Sequence, residues 1–333
     1  MAWTKNPVWV VMTCALAIMC AVVCVPGANG AEVNWIALGS GAYHTPANWD
    51  TGNPPTSTDD AKHDTKSNHI EVQQTSDACL SFEGRAGSVD RYLLIQSDKK
   101  LAVGSGGVQN DPTAAVAPFI VRLQDGTSSP NTRVAVNGDV TEIGFFPYGN
   151  DDGDYVNIDI AGDTVDTSLT LGDSCTIDVD GDWGEGGVTL GTSSATAGTK
   201  SQMTVGSIGT VLTEGIDDSD WLLRGYTELT VEGDAVAKDL DSVFEQRNNS
   251  KMTVGGEVYE AIWRVYDNSE FTATAGAGAE GGTWEIENTG AADLRTVSGG
   301  DWTVTSDGHG ALPGLRAVTL SPENLTVDGG TVT

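Results

Sequence analysis

Met252-Thr253-Val254-Gly255-Gly256-Glu257 is one copy of a phrase that returns along the chain from Val134 onward. Two apolar residues flank a small or polar one; a polar residue, a glycine and usually an acid follow. Close copies begin at Val134, Ile158, Ile177 and Leu229, and looser ones at Met203, Phe271, Trp302 and Leu325. Alternation with period two puts the first and third positions on one side of a strand and the second on the other. Successive starts are 24, 19, 26, 26, 23, 19, 31 and 23 residues apart. Strand phrases repeating at roughly 20–30 residues are the mark of a parallel β-helix, in which each coil is one repeat. A weaker phrase at Leu169, Val188 and Trp263 follows the main one by 11 residues. Each coil therefore carries at least two strands at fixed phase, and a third face is expected.

Stacking places like residues on like, about 4.8 Å apart. The expected interior is a column of Val, Ile, Leu, Met, Phe and Trp. The expected outward column is Thr204, Thr230, Thr253, Thr272, Thr303 and Thr326. A slip of one residue would exchange the two, so the register is strongly specified. Glycine at position five (Gly138, Gly162, Gly181, Gly233, Gly256, Gly329) predicts a corner with positive φ. Asn131, Asn249 and Asn268, each just before Ser or Thr, predict a second corner in left-handed geometry.

With 333 residues the chain can bury a large core without help from disulfides. Its 47 acids against 17 bases give a formal net charge of −30, which argues against nucleic acid as a partner. Lys5 followed by the apolar run 8–25, Pro26-Gly27 and Ala28-Asn29-Gly30 reads as a signal peptide over residues 1–30, cleaved near Ala31. That segment is the expected membrane contact, and the expected location is extracellular or on the cell surface. Cys14, Cys20 and Cys24 fall within it, leaving Cys79 and Cys175, which read as buried thiols.

Residues Trp35, Gly41, Tyr43, Asn48, Trp49, Gly52, Pro55, Asp60 and Ala61 follow a W…G-x-[WY]…N-W-x-x-G-x-x-P…D-A pattern. This resembles the start of many large secreted, autotransporter-like β-helix proteins of bacteria; Tyr43 stands where Trp is commoner. The resemblance covers an architecture and implies no catalytic residue. The reading is an all-β, right-handed parallel β-helix (a β-solenoid, pectin-lyase-like) of about ten coils. Residues 31–69 would form a Trp-rich N-terminal cap and 70–333 the repeats, continuing or capped beyond Thr333. An uncapped last coil would invite end-to-end association. A sugar-binding patch of Trp35, Tyr43 and Trp49 is the alternative to the cap, and Trp183, Trp221 and Trp263 are further candidate stacking platforms.

The acids after the corner glycine (Asp139, Asp163, Asp182, Asp234, Glu257) predict a charge ladder. Its densest part adds Asp159 opposite Asp178, with Asp180 beside them and Asp151, Asp152 and Asp154 in the preceding loop. Calcium takes about six to eight oxygen ligands, so Asp159, Asp163, Asp178, Asp180 and Asp182 are the candidate calcium ligands, against the alternative of a solvated face. His63 and His69, near Asp60 and Asp64 in an expected loop, are a weaker metal candidate. No other cofactor is indicated. The expected function is a secreted or surface structural or adhesion segment meeting extracellular polysaccharide or cell-envelope components. The alternatives are a polysaccharide lyase or hydrolase on the same fold and a carbohydrate-binding module. A groove lined by carboxylates with Arg, Lys or aromatics would favour the enzyme, and smooth Thr and Asp ladders the scaffold.

Overall fold

The computed structural model describes residues 30–63, 69–84, 92–110, 119–126, 132–149, 152–209, 220–236, 242–259, 261–273, 278–280, 283–287, 291–298, 301–305, 314–322, 324–328 and 331–333. The expected signal peptide up to residue 29 lies outside these, as do Asp64, Asn131, Asp151 and Gly329.

Among the described residues, strand-forming Val, Thr and Ile runs separated by Gly-rich turns assemble into two long parallel sheets of 18 and 13 strands. The chain alternates between them. Val156–Ile160 belongs to the first sheet, Ser168–Leu171 to the second, Thr176–Val179 to the first and Val188–Leu190 to the second. Among the described residues the named strands pair in parallel, a single isolated antiparallel bridge joins Trp35 to Trp49, and the second sheet runs in sequence order from Gly41–Ala42 to Asn324–Asp328. This is the ladder of an all-β parallel solenoid. Among the described residues the helical content is a single 3-10 turn, Pro46–Asn48.

A third, shorter ladder follows the corner acid. Val108, Val140 and Thr164 pair in turn, and bridges continue through Trp183, Ile208, Ala235 and Val258. All seven are buried, so each inward position supplies one more side of the core.

The period-two reading holds at residue level. Ile158, Ile177, Met203, Leu229, Met252 and Phe271 stack in register and are buried, as are Ile160, Val179, Val205, Val231 and Val254 beside them. Thr204, Thr230, Thr253 and Thr272 form the outward column, continued upward by Asp178 and Asp159. Thr303 and Thr326 do not extend it; they pair with each other on the second sheet. The phrases at Trp302 and Leu325 therefore belong to the other face. The first sheet passes instead from Phe271 to Ala292, Leu315 and Val332, steps of 21, 23 and 17 residues. The irregular step of 31 arose from changing sheets.

The corner glycines have a different cause from the one expected. Gly138, Gly162, Gly181, Gly233 and Gly256 do not have positive φ. A Cβ on Gly181 would instead lie 2.3 Å from Asp163 Oδ1 and 2.5 Å from the Gly162 carbonyl oxygen of the preceding coil. Close axial approach, not left-handed backbone, excludes a side chain there. At the other corner, left-handed residues do occur, among them Asn248 (φ 67°) and Asp267 (φ 57°), one position before the expected Asn249 and Asn268. Behind them runs a buried column of small polar groups, Cys175, Ser201, Thr227, Ser250 and Ser269. Ser201 Oγ accepts the Cys175 N–H at 3.1 Å and donates to the Gly172 carbonyl at 3.0 Å, and Ser250 and Ser269 hydroxyls meet at 3.2 Å. Cys79 and Cys175 are free and buried, and burial pushes each thiol up to about 12.

The large aromatics fill the interior. Trp221, Phe244, Trp263 and Trp284 are in register on the second sheet, with Phe244–Trp263 at 4.2 Å and Trp263–Trp284 at 5.2 Å, both stacked. At the N-terminal end Trp35 and Trp49 pack edge-on at 5.1 Å, and Trp49 Nε1–H donates to the Tyr43 carbonyl at 2.6 Å. Trp35, Tyr43, Trp49, Trp183, Trp221 and Trp263 are each 1% exposed, so none offers a face to a sugar ring.

Candidate functional site

The corner acids are engaged along the axis. Asp139 Oδ1 accepts the backbone N–H of Asp163 at 3.0 Å, and Asp163 Oδ1 accepts that of Asp182 at 2.9 Å. Asp234 Oδ1 likewise accepts the N–H of Glu257 at 2.8 Å. Each carboxylate thus caps the amide of its own counterpart one coil further on, as an N-cap caps a helix amide. Charge-assisted bonds of this kind offset the repulsion of acids stacked at strand spacing.

A second ladder of the same design occupies another corner, and sequence reasoning passed over it. Asp125 Oδ1 accepts the N–H groups of Gly153 and Asp154, both at 2.8 Å. Asp154 Oδ1 accepts Asp173 N–H at 2.5 Å, and Asp173 accepts both the N–H and the hydroxyl of Thr192, at 2.9 and 3.0 Å. Its signal was present as a polar residue two places after a buried leucine: Leu123…Asp125, Leu171…Asp173 and Leu190…Thr192.

The five candidate calcium ligands are thereby divided. Asp159 and Asp178 face outward as register partners on the first sheet, and Asp180 follows at the end of the second strand. Asp163 and Asp182 lie past the turn, where Asp163 already holds an amide. Among the described residues no group of three or more His, Cys, Asp or Glu side chains is arranged to hold a metal ion. His63 and His69 diverge as well. His63 is buried beside Phe119, at 5.7 Å between ring centres, whereas His69 stacks on Tyr92 at 4.6 Å on the second sheet.

The acids have opposing effects on stability. Burial raises the Asp154 carboxyl, and burial with Asp180, Asp159 and Glu232 nearby raises that of Asp178. An acid with a raised folded pKa binds more protons folded than unfolded just above its ordinary 3.8, so stability grows as pH falls through that window. Glu32 has the opposite sign: the Lys62 ammonium bonded to it lowers its carboxyl. In Glu228, partial burial acts upward, but Lys200 more than offsets it. Their contribution is lost only as pH falls below their ordinary 4.5. Relief of the −30 net charge reinforces the first effect. The melting temperature should therefore rise as pH is lowered from 7 to about 4.5 and turn down below about 4. Asp154→Asn with Asp178→Asn should flatten the rise; a melting temperature falling steadily from pH 7 would contradict this reading.

The outer face of the first sheet carries a groove of ≈ 650 Å³ near the N-terminal end, whose lining includes Glu32, Asp60, Lys62, Ser81, Glu83 and Gln109. Lys62 lies between two acids, 3.0 Å from Glu32 and 3.5 Å from Glu83, and Ser81 Oγ donates to Asp60 at 2.6 Å. On the second sheet Arg264 bridges Glu285 at 3.0 Å and Glu245 at 3.8 Å, and Tyr266 O–H also donates to Glu285.

The fold and its corner chemistry define an all-β parallel solenoid whose coils are tied by aspartate ladders. No protein-family model matches the chain, and no significant match is found among curated proteins or solved structures.

Proposed function

We propose that the chain is the shaft of an exported, surface-associated structural or adhesion rod that meets extracellular polysaccharide or cell-envelope components through its polar outer faces. The observation that carries this reading is the pair of axial ladders, Asp139–Asp163–Asp182 and Asp125–Asp154–Asp173. Their carboxylates hold one coil to the next. The Thr204–Thr272 column offers such a partner a repeating polar face.

A second reading, glycoside cleavage, is favoured by the groove around Lys62, where carboxylates cluster with a cationic side chain. Cleavage by hydrolysis needs a carboxylic acid kept protonated near neutrality. Glu32 is shifted the other way by Lys62, which suits binding of a polar chain better than acid catalysis. The test is to incubate the full chain with a panel of acidic and neutral polysaccharides, scoring retention and new chain ends. The rod reading expects retention without new reducing ends or unsaturated products; cleavage that Lys62→Ala or Glu83→Gln abolishes would overturn it.

A further inference from the structure

At the N-terminal end of the second sheet a hydroxyl, an imidazole and a carboxylate meet in sequence. Ser40 follows the bend at Leu38-Gly39, between the first strands of the two sheets, and is exposed. His69 and Glu71 are alternate residues of His69–Val72, so period two puts both on the outer face. Ser40 Oγ is 2.8 Å from His69 Nδ1, and His69 Nε2 is 2.9 Å from Glu71 Oε1. From this geometry we infer that Ser40, His69 and Glu71 form a nucleophile–base–acid relay able to hydrolyse carboxylic esters.

The supporting contacts fix each member. A carboxylate only accepts hydrogen bonds, so Glu71 draws the ring proton to Nε2 and leaves Nδ1 as an acceptor for the Ser40 hydroxyl. Glu71 Oε2 is itself held by Gln73 Nε2 at 2.5 Å and Gln96 Nε2 at 2.9 Å. The His69 ring lies flat on Tyr92, at 5° between planes, which restricts its rotation. A base within reach of a hydroxyl and oriented by a third group is the arrangement that activates a serine. His69 and Glu71 remain 17% and 21% exposed, and a Cβ added at the neighbouring Gly39 would meet nothing within 4 Å. A small ester can therefore approach Oγ from that side.

In the first half-reaction Ser40 Oγ bonds to the ester carbonyl carbon while its proton passes to His69 Nδ1. The carbon–oxygen bond to the leaving group then breaks, and the departing alkoxide takes that proton from His69. Water, deprotonated by the same nitrogen, attacks the acyl-Ser40 ester; the acid leaves and the proton returns to Ser40 Oγ. The Glu71 carboxylate, hydrogen-bonded to His69 Nε2, stabilises the imidazolium.

The test uses the full chain with p-nitrophenyl acetate as substrate and a fluorophosphonate as covalent probe. Peptide mapping is expected to place the phosphonyl group on Ser40. Ser40→Ala should abolish labelling and reduce hydrolysis by about 10²-fold or more, with unchanged melting because the side chain is exposed. Glu71→Gln should reduce the rate and shift its pH profile, which a purely structural contact would not do. A label at another residue, no label at all, or hydrolysis unchanged in Ser40→Ala would overturn the assignment.

Discussion

Trp263→Ala lowers the free energy of unfolding by about 3–5 kcal/mol, the range for truncating a buried tryptophan. Trp263 is 1% exposed and stacks between Phe244 at 4.2 Å and Trp284 at 5.2 Å, with Phe271 edge-on at 5.5 Å. Its neighbours cannot collapse into the space, because backbone pairing on either side fixes their height along the axis. Coils in a solenoid contact mainly their neighbours, so the loss is local. Hydrogen exchange should accelerate around Val243–Gln246, Ile262–Val265 and Thr283–Glu287 while Thr132–Val136 retains its protection. Chemical denaturation with an exchange map reads both quantities. A uniform acceleration would show a globally cooperative fold instead.

Gly181→Ala is expected to cost about 1–3 kcal/mol, as overpacking does elsewhere. The added Cβ would sit 2.5 Å from the Gly162 carbonyl oxygen and 2.7 Å from its carbon, backbone atoms held by the ladder, as well as 2.3 Å from Asp163 Oδ1. Moving the Asp163 side chain relieves only the last of these, so Asp163→Ala should rescue the variant only in part. Gly181→Asn separates the two explanations for the glycine. Asn tolerates positive φ, so a left-handed corner would accept it, whereas axial crowding rejects it as it rejects Ala. Thermal melts of the three variants decide between them.

Sequence periodicity carried the fold because every coil repeats the same inward pair, as in Ile177 and Val179 or Met252 and Val254. It could not tell the sheets apart at Trp302 and Leu325, since both sheets ask for the same apolar–polar–apolar triplet. The purpose of the corner glycine was hidden for a related reason. Gly181 is excluded from bearing a side chain by Gly162 and Asp163, residues 19 and 18 positions earlier, and local sequence does not encode that approach. The acids were visible as a ladder, but their acceptor role depends on which amide lies below, which only the axial register supplies. Ser40 and His69, 29 residues apart, carry no shared motif and meet because a bend and a strand start reach the same edge.

The tie between coils is made by the corner aspartates acting as hydrogen-bond acceptors. Its most direct test is the triple replacement of Asp139, Asp163 and Asp182 by Asn, compared with the triple replacement by Ala, in thermal melts with calcium and with a chelator. Asn keeps the acceptor oxygen and removes the like charges, so the Asn variant should melt at or above the parent temperature in both conditions. The Ala variant should lose about 0.5–1.5 kcal/mol for each amide left unpaired. An Asn variant destabilised like the Ala one, with a parent protein that calcium stabilises and the variant does not, would show the acids to be cation ligands.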